Sequence, residues 1–344
     1  MKLKRIAVGV AVAMAGATSA AQADSILFPY VVSGDSVTTV VSVISGPNYV
    51  GYNSAGQAGQ GDRLHWTMVN KAGAAAESNS AVCSEVNYYL PSSKNDIQTV
   101  DLGARVSGED DSGVLFNDPS INNNWRDQLG NLTYALADEA SQGSGLRGYL
   151  MVDEASGEQR GQLSGEAFVF EFGSGAAWGY RAIPSQNADF YFAHASMAPS
   201  AQVAFMPLAE TDTRFFVTPL NRTGVPADMD PTDNGNGNFE RLTSTITMRT
   251  ASGLAFDRDE NLVSGSREER VTCVGAVNLP DLMSPGARSV LRDGGWGKLR
   301  IVSTDSEDDG STTSNANVIK LEFNASGRFN DKPMDGVYNN ATTL

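Results

Sequence analysis

Short apolar runs, separated by polar breaks that contain glycine, recur along most of the chain. The runs are rich in Val, Phe, Tyr and Thr, which favour β-strands. Several are apolar at successive positions, as expected of strands covered on both faces. Among them are "ILFPYVV", "VTTVVSVIS", "LHWTMVN", "RGYLMVD", "EAFVFEF", "RFFVTPL" and "NVIKLEF". The pattern predicts an all-β protein of sandwich type, either immunoglobulin-like or jelly-roll-like.

Two segments have helical spacing instead. Trp125, Leu129, Leu132 and Leu136 recur at steps of four, three and four. This spacing places the four side chains on one helical face and predicts a short amphipathic helix packed against a sheet. A second, weaker helical pattern covers "DLMSPGARSVL", residues 281–291.

The order of strand-like blocks in the first half of the chain returns in the second half. "LFPYVV", "CSEVNYYLP", "RGYLMVDEASGE" and "EAFVFEF" are echoed by "RFFVTPL", "CVGAVNLP", "WGKLRIVSTDSED" and "NVIKLEF". We interpret this echo as a diverged duplication of one β module; the alternative is coincidence among generic strands. The predicted organisation is one module over residues 24–205, with a helical insertion at about 92–145, and a related module over 206–344.

The first residues have the layout of a secretory signal peptide. Lys2, Lys4 and Arg5 precede the apolar run "IAVGVAVAMAGA" and the small-residue motif "AQA", which ends at Ala23. The apolar run is about a dozen residues long, whereas a bilayer span takes about 20. We expect a signal peptide over residues 1–23 and no transmembrane segment after its cleavage; the alternative is an uncleaved anchor.

The composition is acidic and limits the classes of partner. The chain has 40 Asp and Glu residues against 25 Lys and Arg residues, and a formal net charge of −15. Such a surface repels nucleic acid and anionic membranes, so neither is expected as a partner.

Cys83 and Cys273 are the two cysteines of the sequence. In an oxidising compartment two cysteines most simply pair, although two separate buried thiols are the alternative. The duplication would place them at equivalent positions, so a bond between them would staple the modules across a pseudo-twofold axis.

The stretch "SGDSVTT" contains Ser36 after Gly-Asp, the order that opens GDSL-type lipases and esterases. Such an enzyme needs its serine on a strand-to-helix turn and an Asp-x-x-His pair late in the chain. Here β-branched residues follow Ser36, which favours a strand, and the pair Asp62 to His65 comes early. We interpret residues 33–36 as a hairpin turn and expect no catalytic residues. His65 and His194 lie in separate strand-like runs and match no zinc or haem pattern.

Acidic loops are the candidate cation sites. One loop matches the first half of a twelve-residue calcium loop, but Ala316 stands where a bidentate Glu is needed. Solvated acidic turns are the alternative interpretation, and no other cofactor is expected. The candidate calcium ligands are Asp305, Glu307, Asp309, Asp228, Asp230 and Asp233.

Trp178 and Tyr180, in the glycine-rich "WGY" break, are candidates for stacking on a sugar. An aromatic side chain exposed in a loop can stack in this way. The alternative is that the two rings cap the end of a sandwich core.

The opening "ILFPYVVSGDSVTTVVSVIS" and the later "RGYLMVDEASGE…LSGEAFVFEFGSGAAWGYRA" resemble secreted bacterial β-sandwich surface proteins of uncharacterised activity. The likeness covers about half of the chain and implies no catalytic residues. It implies an extracytoplasmic location in the periplasm, at the cell surface or in the medium.

These observations predict a non-catalytic structural or adhesion-type protein of a bacterial envelope. Its expected partner is a second copy of itself or another envelope component. The first strand, close to a free N-terminus, is a candidate for completing a neighbour's sheet. The alternatives are a carbohydrate- or calcium-binding extracellular module and a secreted hydrolase.

Overall fold

The computed structural model describes residues 25–47, 63–92, 94–103, 114–116, 145–154, 163–185, 201–220, 243–249, 255–304, 312–313, 316–324, 328–329, 332–333 and 338–344. These residues are mostly strands in antiparallel sheets, which confirms the all-β prediction. The expected signal peptide and the helix expected around Trp125 lie outside the described residues.

The first half of the chain forms two five-stranded sheets. Sheet 1 has the strand order β10-β1-β7-β3-β4, and sheet 2 has the order β6-β5-β2-β8-β9. The strands are β1 (Ser25–Ser33), β2 (Val37–Ser45), β3 (Arg63–Ala72), β4 (Ser84–Pro91), β5 (Ile97–Asp101), β6 (Val114–Phe116), β7 (Leu146–Glu154), β8 (Leu163–Glu171), β9 (Ala176–Arg181) and β10 (Ile183–Pro184).

The second half forms two larger sheets and a separate two-stranded sheet, β20-β21. Sheet 3 has the order β11-β17-β13-β15, with β14 and β18 beside β17, and sheet 4 has the order β16-β12-β19-β22. The strands are β11 (Ala201–Phe205), β12 (Asp212–Pro219), β13 (Thr243–Arg249), β14 (Ala255–Asp257), β15 (Glu268–Thr272), β16 (Gly275–Asn278), β17 (Gly295–Thr304), β18 (Thr312–Thr313), β19 (Ala316–Asn324), β20 (Arg328–Phe329), β21 (Lys332–Pro333) and β22 (Tyr338–Thr343).

The two halves have the same strand order. The row β1-β7-β3-β4 of sheet 1 matches β11-β17-β13-β15 of sheet 3, and β5-β2-β8-β9 of sheet 2 matches β16-β12-β19-β22 of sheet 4. In each half the pairings reproduce the B-E-D and C-F-G rows of an immunoglobulin-type sandwich, with an extra pair of strands between D and E. The prediction of two related sandwich modules is confirmed, and the immunoglobulin-like alternative describes the pairing.

The strand order corrects two details of the expected repeat. The counterpart of β1 is β11 (Ala201–Phe205), which pairs with β17 in sheet 3 and so belongs with the second module, whose predicted start was residue 206. Cys83 precedes β4, whereas Cys273 follows β15, so the cysteines do not occupy equivalent positions. The two later blocks of the predicted repeat agree with the structure, since β7 corresponds to β17 and β8 corresponds to β19.

A core fills the space between sheets 1 and 2. Ile26 and Phe28 of β1 point at β8, where Gly165 leaves the room they need. A Cβ at Gly165 would lie 2.7 Å from the Phe28 ring, closer than packed carbon atoms approach, so a larger residue would push the sheets apart.

The central strands of sheet 4, β12 and β19, are buried on both faces. Phe215, Val217 and Val318 point into the core of the second module. Phe216 and Ile319, one position along the same strands, belong to the core of the first module. Side chains alternate between the two faces of a strand, so one sheet serves both cores and fuses the modules.

Ser36 lies in a two-residue turn that is closed by an antiparallel bridge between Gly34 and Val37. The Gly34 N–H donates to the Val37 carbonyl (2.8 Å), which makes the predicted turn. The strands on either side then enter different sheets, since β1 pairs with β7 and β10 while β2 pairs with β5 and β8. The predicted turn is therefore present, but the two strands do not continue to pair beyond the bridge, because the chain crosses the core from sheet 1 to sheet 2.

A short helix, α1 (Pro285–Val290), confirms the helical pattern at residues 281–291. Ser284 caps it by accepting a hydrogen bond from the Ala287 N–H (3.3 Å), and Pro285 occupies the first helical position. Gly294, whose φ of 92° favours glycine, turns the chain into β17. None of the helices in the described ranges is long and apolar enough to cross a membrane.

The expected disulfide is present between Cys83 and Cys273, which are 190 residues apart in sequence and join the two modules. Both half-cystines are buried.

We predict that replacing both cysteines by serine lowers the free energy of unfolding by about 5 kcal/mol, because the bond closes a very long loop in the unfolded chain. Urea unfolding of the oxidised protein and of the C83S/C273S variant measures the difference. Reduction should destabilise only the wild type. Equal stability of the two oxidised proteins would contradict the prediction.

Candidate functional site

The junction between the modules begins at an irregularity in β1. Pro29 has no N–H to donate, and a proline inside a strand is found at edges or bulges. The pairing of β1 with β7 shifts register between Phe28 and Val31, so Pro29 and Tyr30 are left out of the ladder. A bulge of this kind exposes backbone carbonyls and redirects a side chain.

Both freed carbonyls are bonded by side chains from other strands. The hydroxyl of Thr218, at the end of β12 in the second module, donates to the Pro29 carbonyl. The hydroxyl of Tyr180, in β9, donates to the Tyr30 carbonyl. Burial raises the pKa of Tyr180 and of Tyr30, so both phenols keep their protons at neutral pH. The bulge is thus satisfied from both modules at once.

An aromatic stack fills the same junction. The Phe216 ring packs against both Tyr30 and Trp178, with centroid distances of 3.9 and 5.2 Å, and it is parallel to the Trp178 ring within 3°. The Tyr30 and Trp178 rings are also in contact, at 6.3 Å. Tyr180 completes the cluster at 5.9 Å from Trp178. Phe216 comes from sheet 4, and the other three residues belong to the first module.

Trp178 and Tyr180, the candidate glycan-stacking residues, are therefore placed in the core. They lie in β9 rather than in a loop, and they are 6% and 9% exposed. The indole N–H of Trp178 points to a carboxylate oxygen of Glu171 (3.4 Å). The placement in an exposed loop was wrong, because the flanking glycine lies inside a strand, and the rings pack in the core as the alternative interpretation had it.

Lys71 and Asn79 tie the modules together at a second place. The Lys71 ammonium donates to the carbonyls of Ser78 (2.9 Å) and Val274 (2.8 Å). The Asn79 amide donates to the Ala276 carbonyl and accepts from the Ala276 N–H. Val274 and Ala276 follow Cys273, so these bonds and the disulfide hold the same stretch of the second module.

The Lys71 amino group is buried and lies close to a second positive charge, that of Arg147. Burial, and secondly the adjacent Arg147 guanidinium, lower the pKa of Lys71 to about 7. Arg147 is the register partner of Lys71 on β7, and its guanidinium lies 3.6 Å from the carboxylate of Glu77. This ion pair compensates the Arg147 charge and leaves Lys71 with carbonyl partners only.

His65 pairs with a carboxylate other than the Asp62 that its sequence motif suggested. Its Nδ1 lies 3.0 Å from Oδ1 of Asp153, and its Nε2 lies 3.4 Å from the Thr67 hydroxyl. The order carboxylate, imidazole, hydroxyl is that of a hydrolase triad, but Thr67 is buried. No substrate could reach a hydroxyl in this position without opening the sheet.

Ser36 and His65 lie at opposite ends of sheet 1. Ser25, at the start of β1, is the register partner of Asp153, whereas the Ser36 turn follows the end of that strand. At about 3.3 Å per residue, this separation is about 25 Å. Ser36 therefore has no access to the imidazole as its general base.

The candidate calcium ligands and His194 fall outside the described residues, so their prediction stands untested. Among the residues described, no group of three or more His, Cys, Asp or Glu side chains is placed to hold a metal ion. The candidate calcium residues concerned are Asp305, Glu307, Asp309, Asp228, Asp230 and Asp233.

Sequence reasoning missed most of the junction. The Phe-Pro step in "ILFPYVV" was a usable signal for a bulge, since proline cannot donate to a central ladder. The lysine that ends "LHWTMVNK" was a second signal, because a charge in a strand apolar on both faces requires buried partners. The partners themselves, Thr218 and Val274, are nearly 200 residues away and carry no local signature.

We predict that Phe216→Ala costs about 3–5 kcal/mol of stability, because it empties the centre of the aromatic stack. It should also separate the unfolding of the modules, so that calorimetry shows one transition for the wild type and two for the variant. The matched control is Phe172→Ala, which removes a ring that is 49% exposed and should change stability by less than about 0.5 kcal/mol. A single, unshifted transition for Phe216→Ala would refute the role assigned to this ring.

We predict that Lys71 gives stability a rising dependence on pH above neutrality. Between pH 7 and about 10.5 the unfolded chain holds a proton on Lys71 that the folded chain has lost, so the free energy of unfolding increases with pH. Below pH 7 the full cost of burying the charge is present. Urea unfolding of wild type and Lys71→Met at pH 6 to 10 should show that the free energy of unfolding of the wild type, relative to that of the variant, rises with pH. Lys94→Met, at an exposed lysine, should track the wild type, and a constant offset for Lys71→Met would overturn the assignment.

Comparison with protein-family models finds no match, and comparisons with curated proteins and with solved structures find none either. The relation between the two modules therefore rests on their shared strand order.

Proposed function

We propose that this chain is an exported, non-catalytic structural or adhesion-type protein of a bacterial envelope. The observation that carries the proposal is the burial of the central strands of sheet 4 on both faces. Phe215 serves the core of one module and Phe216 the core of the other, so the two sandwiches form one stiff unit rather than two domains on a linker. A stiff unit of this kind suits a protein whose task is to hold or present surfaces.

The buried polar groups of the described chain support the same proposal. In the second module, the Lys320 ammonium donates to the Ala204 carbonyl (2.7 Å) and to a carboxylate oxygen of Glu322 (3.1 Å). The other Glu322 oxygen accepts from the Met206 N–H (2.8 Å). Like Lys71 at the junction, this ion pair ties strands to connecting backbone. These buried charges hold backbone segments in place through hydrogen bonds and an ion pair.

An extracytoplasmic location fits the disulfide. Structural disulfides form and persist in oxidising compartments and are rare in the cytosol. The Cys83–Cys273 bond joins two modules that meet only after most of the chain has been made. Together with the expected signal peptide, this supports residence in the periplasm, at the cell surface or in the medium.

Association through sheet edges is restricted by the edge strands. Glu268 and Arg270 of β15 are exposed at the edge of sheet 3, and charged residues oppose pairing with another chain. The first strand is paired within its own molecule, with β7 and, at Ile26 and Leu27, with β10, which favours other surfaces over a donor-strand contact. We therefore propose that the chain contacts copies of itself or another envelope component through its faces and loops.

The test is to express the full chain with a C-terminal tag in a bacterium and to separate cytoplasm, periplasm, membranes and medium. We predict an extracytoplasmic protein that begins at Asp24, contains the disulfide, and either scatters light as an assembly or copurifies with an envelope component. The matched control, a chain that lacks residues 1–23, should stay in the cytoplasm with reduced cysteines.

Light scattering in calcium and then in EDTA also shows whether assembly depends on calcium. An unprocessed cytoplasmic protein, or a monomer without an envelope partner, would contradict the proposal. Turnover of ester or glycoside substrates would contradict its non-catalytic part.

A further inference from the structure

A shallow groove on the second module is lined by two arginines on an otherwise acidic protein. It lies between α1, with the 3₁₀ turn Leu291–Asp293 that follows it, and the connection from β11 to β12. Its volume is about 590 Å³ and it opens broadly to solvent. The residues that matter for the argument are Arg288, Arg292, Ser289, Leu208, Pro280 and Pro285.

The two guanidinium groups have unused hydrogen-bonding capacity. Arg288 and Arg292 are four residues apart, one turn along the helical segment, so their side chains lie side by side. Arg288 reaches Asp281 only at 3.9 Å, and its Nε–H is shielded from solvent without a hydrogen-bond partner. The exposed Arg292 side chain has no ion pair or hydrogen bond within the described part of the chain.

This arrangement has the chemistry of a carboxylate receptor. An arginine fork binds a carboxylate through two parallel N–H donors, and such charge-assisted bonds are about twice as strong as neutral ones. The Ser289 hydroxyl offers a further donor beside the two forks, and Leu208 with the two prolines gives an apolar floor for the aliphatic part of a ligand. The ligand is therefore an anion with an apolar body.

The shape of the groove decides between a small molecule and a chain segment. Small ligands bind in concave pockets that bury most of their surface, whereas this groove is open. Nucleic acid would extend far over a surface whose formal net charge is −15 and would be repelled. A short segment with one or two carboxylates meets only the local positive charge, because remote charges are screened beyond about 8 Å at physiological salt.

We propose that this groove binds an extended, acidic peptide segment of a partner protein, with Arg288 and Arg292 holding its carboxylate side chains. Leu208, Pro280 and Pro285 contact the aliphatic parts of the segment. This site stands independently of the envelope role, because it rests on the groove alone.

The test uses the oxidised protein and a synthetic peptide, acetyl-Ala-Asp-Leu-Asp-Ala-amide, with its two-asparagine analogue as the matched ligand. Calorimetric titration should show binding of the aspartate peptide that weakens with added sodium chloride and is absent for the analogue. Arg292→Gln should weaken binding about ten-fold, since it removes a charge-assisted pair, and Arg292→Lys should lie between. Arg258→Gln removes an exposed arginine elsewhere and should leave the affinity unchanged.

Arg292 is exposed, so its variants should keep the wild-type melting temperature. Arg288→Gln removes the other positive charge of the groove and serves as the second variant. Equal binding of the asparagine analogue, or wild-type affinity in both glutamine variants, would overturn the proposal. Displacement of the peptide by inorganic phosphate at equal concentration would show a site for free anions instead. A dimer that Arg292→Gln converts to a monomer would show a second copy in the groove and would likewise overturn it.

Discussion

The missing N–H of Pro29 is the constraint on which the junction of this protein depends. A strand that contains proline cannot complete its ladder, so β1 bulges and presents the carbonyls of Pro29 and Tyr30 away from β7. Unbonded carbonyls in a buried place are costly. Thr218 bonds one and Tyr180 bonds the other, and Tyr30, turned out of the strand, stacks on Phe216. A defect in the first sheet thereby becomes the attachment point of the second module.

The attachment also explains a structural difference between two modules of similar strand order. Sheets 2 and 4 have the same core strand order, yet the outward face of sheet 4 is apolar and buried against the first module through Phe216 and Ile319. The disulfide and the bonds of Lys71 and Asn79 then fix the stretch between β15 and β16 to the first module. Sheet 4 is therefore attached to the first module both by its apolar face and by the segment that leads into β16. The two modules are held together by these contacts and not only by the connecting chain.

Local patterns made the element types predictable, and long-range pairing limited the rest. Apolar runs indicated the strands, a weak helical pattern over residues 281–291 indicated α1, and the cysteine count suggested the disulfide. The strand alignment failed because "LFPYVV" resembles "RFFVTPL" in composition, whereas its structural counterpart is the plainer "AQVAF" of β11. Trp178 was misplaced for a related reason, since a neighbouring glycine suggests a loop unless the pairing of β8 with β9 is known. Register is a relation between distant segments, and a single sequence records it only weakly.

The comparison of the modules also shows where this fold has room for recognition. Both helical patterns in the sequence precede the strand that crosses back to sheet 1 or sheet 3, the first between β6 and β7 and the second between β16 and β17. In the second module this connection forms α1 and contributes Arg288 and Arg292 to the groove. Connections vary more freely than the strands they join, because they carry few of the core contacts. In the second module, Ala287 and Leu291 anchor this connection in the core, whereas Arg288 and Arg292 line the groove, so the charge of the groove can change while the core contacts stay the same.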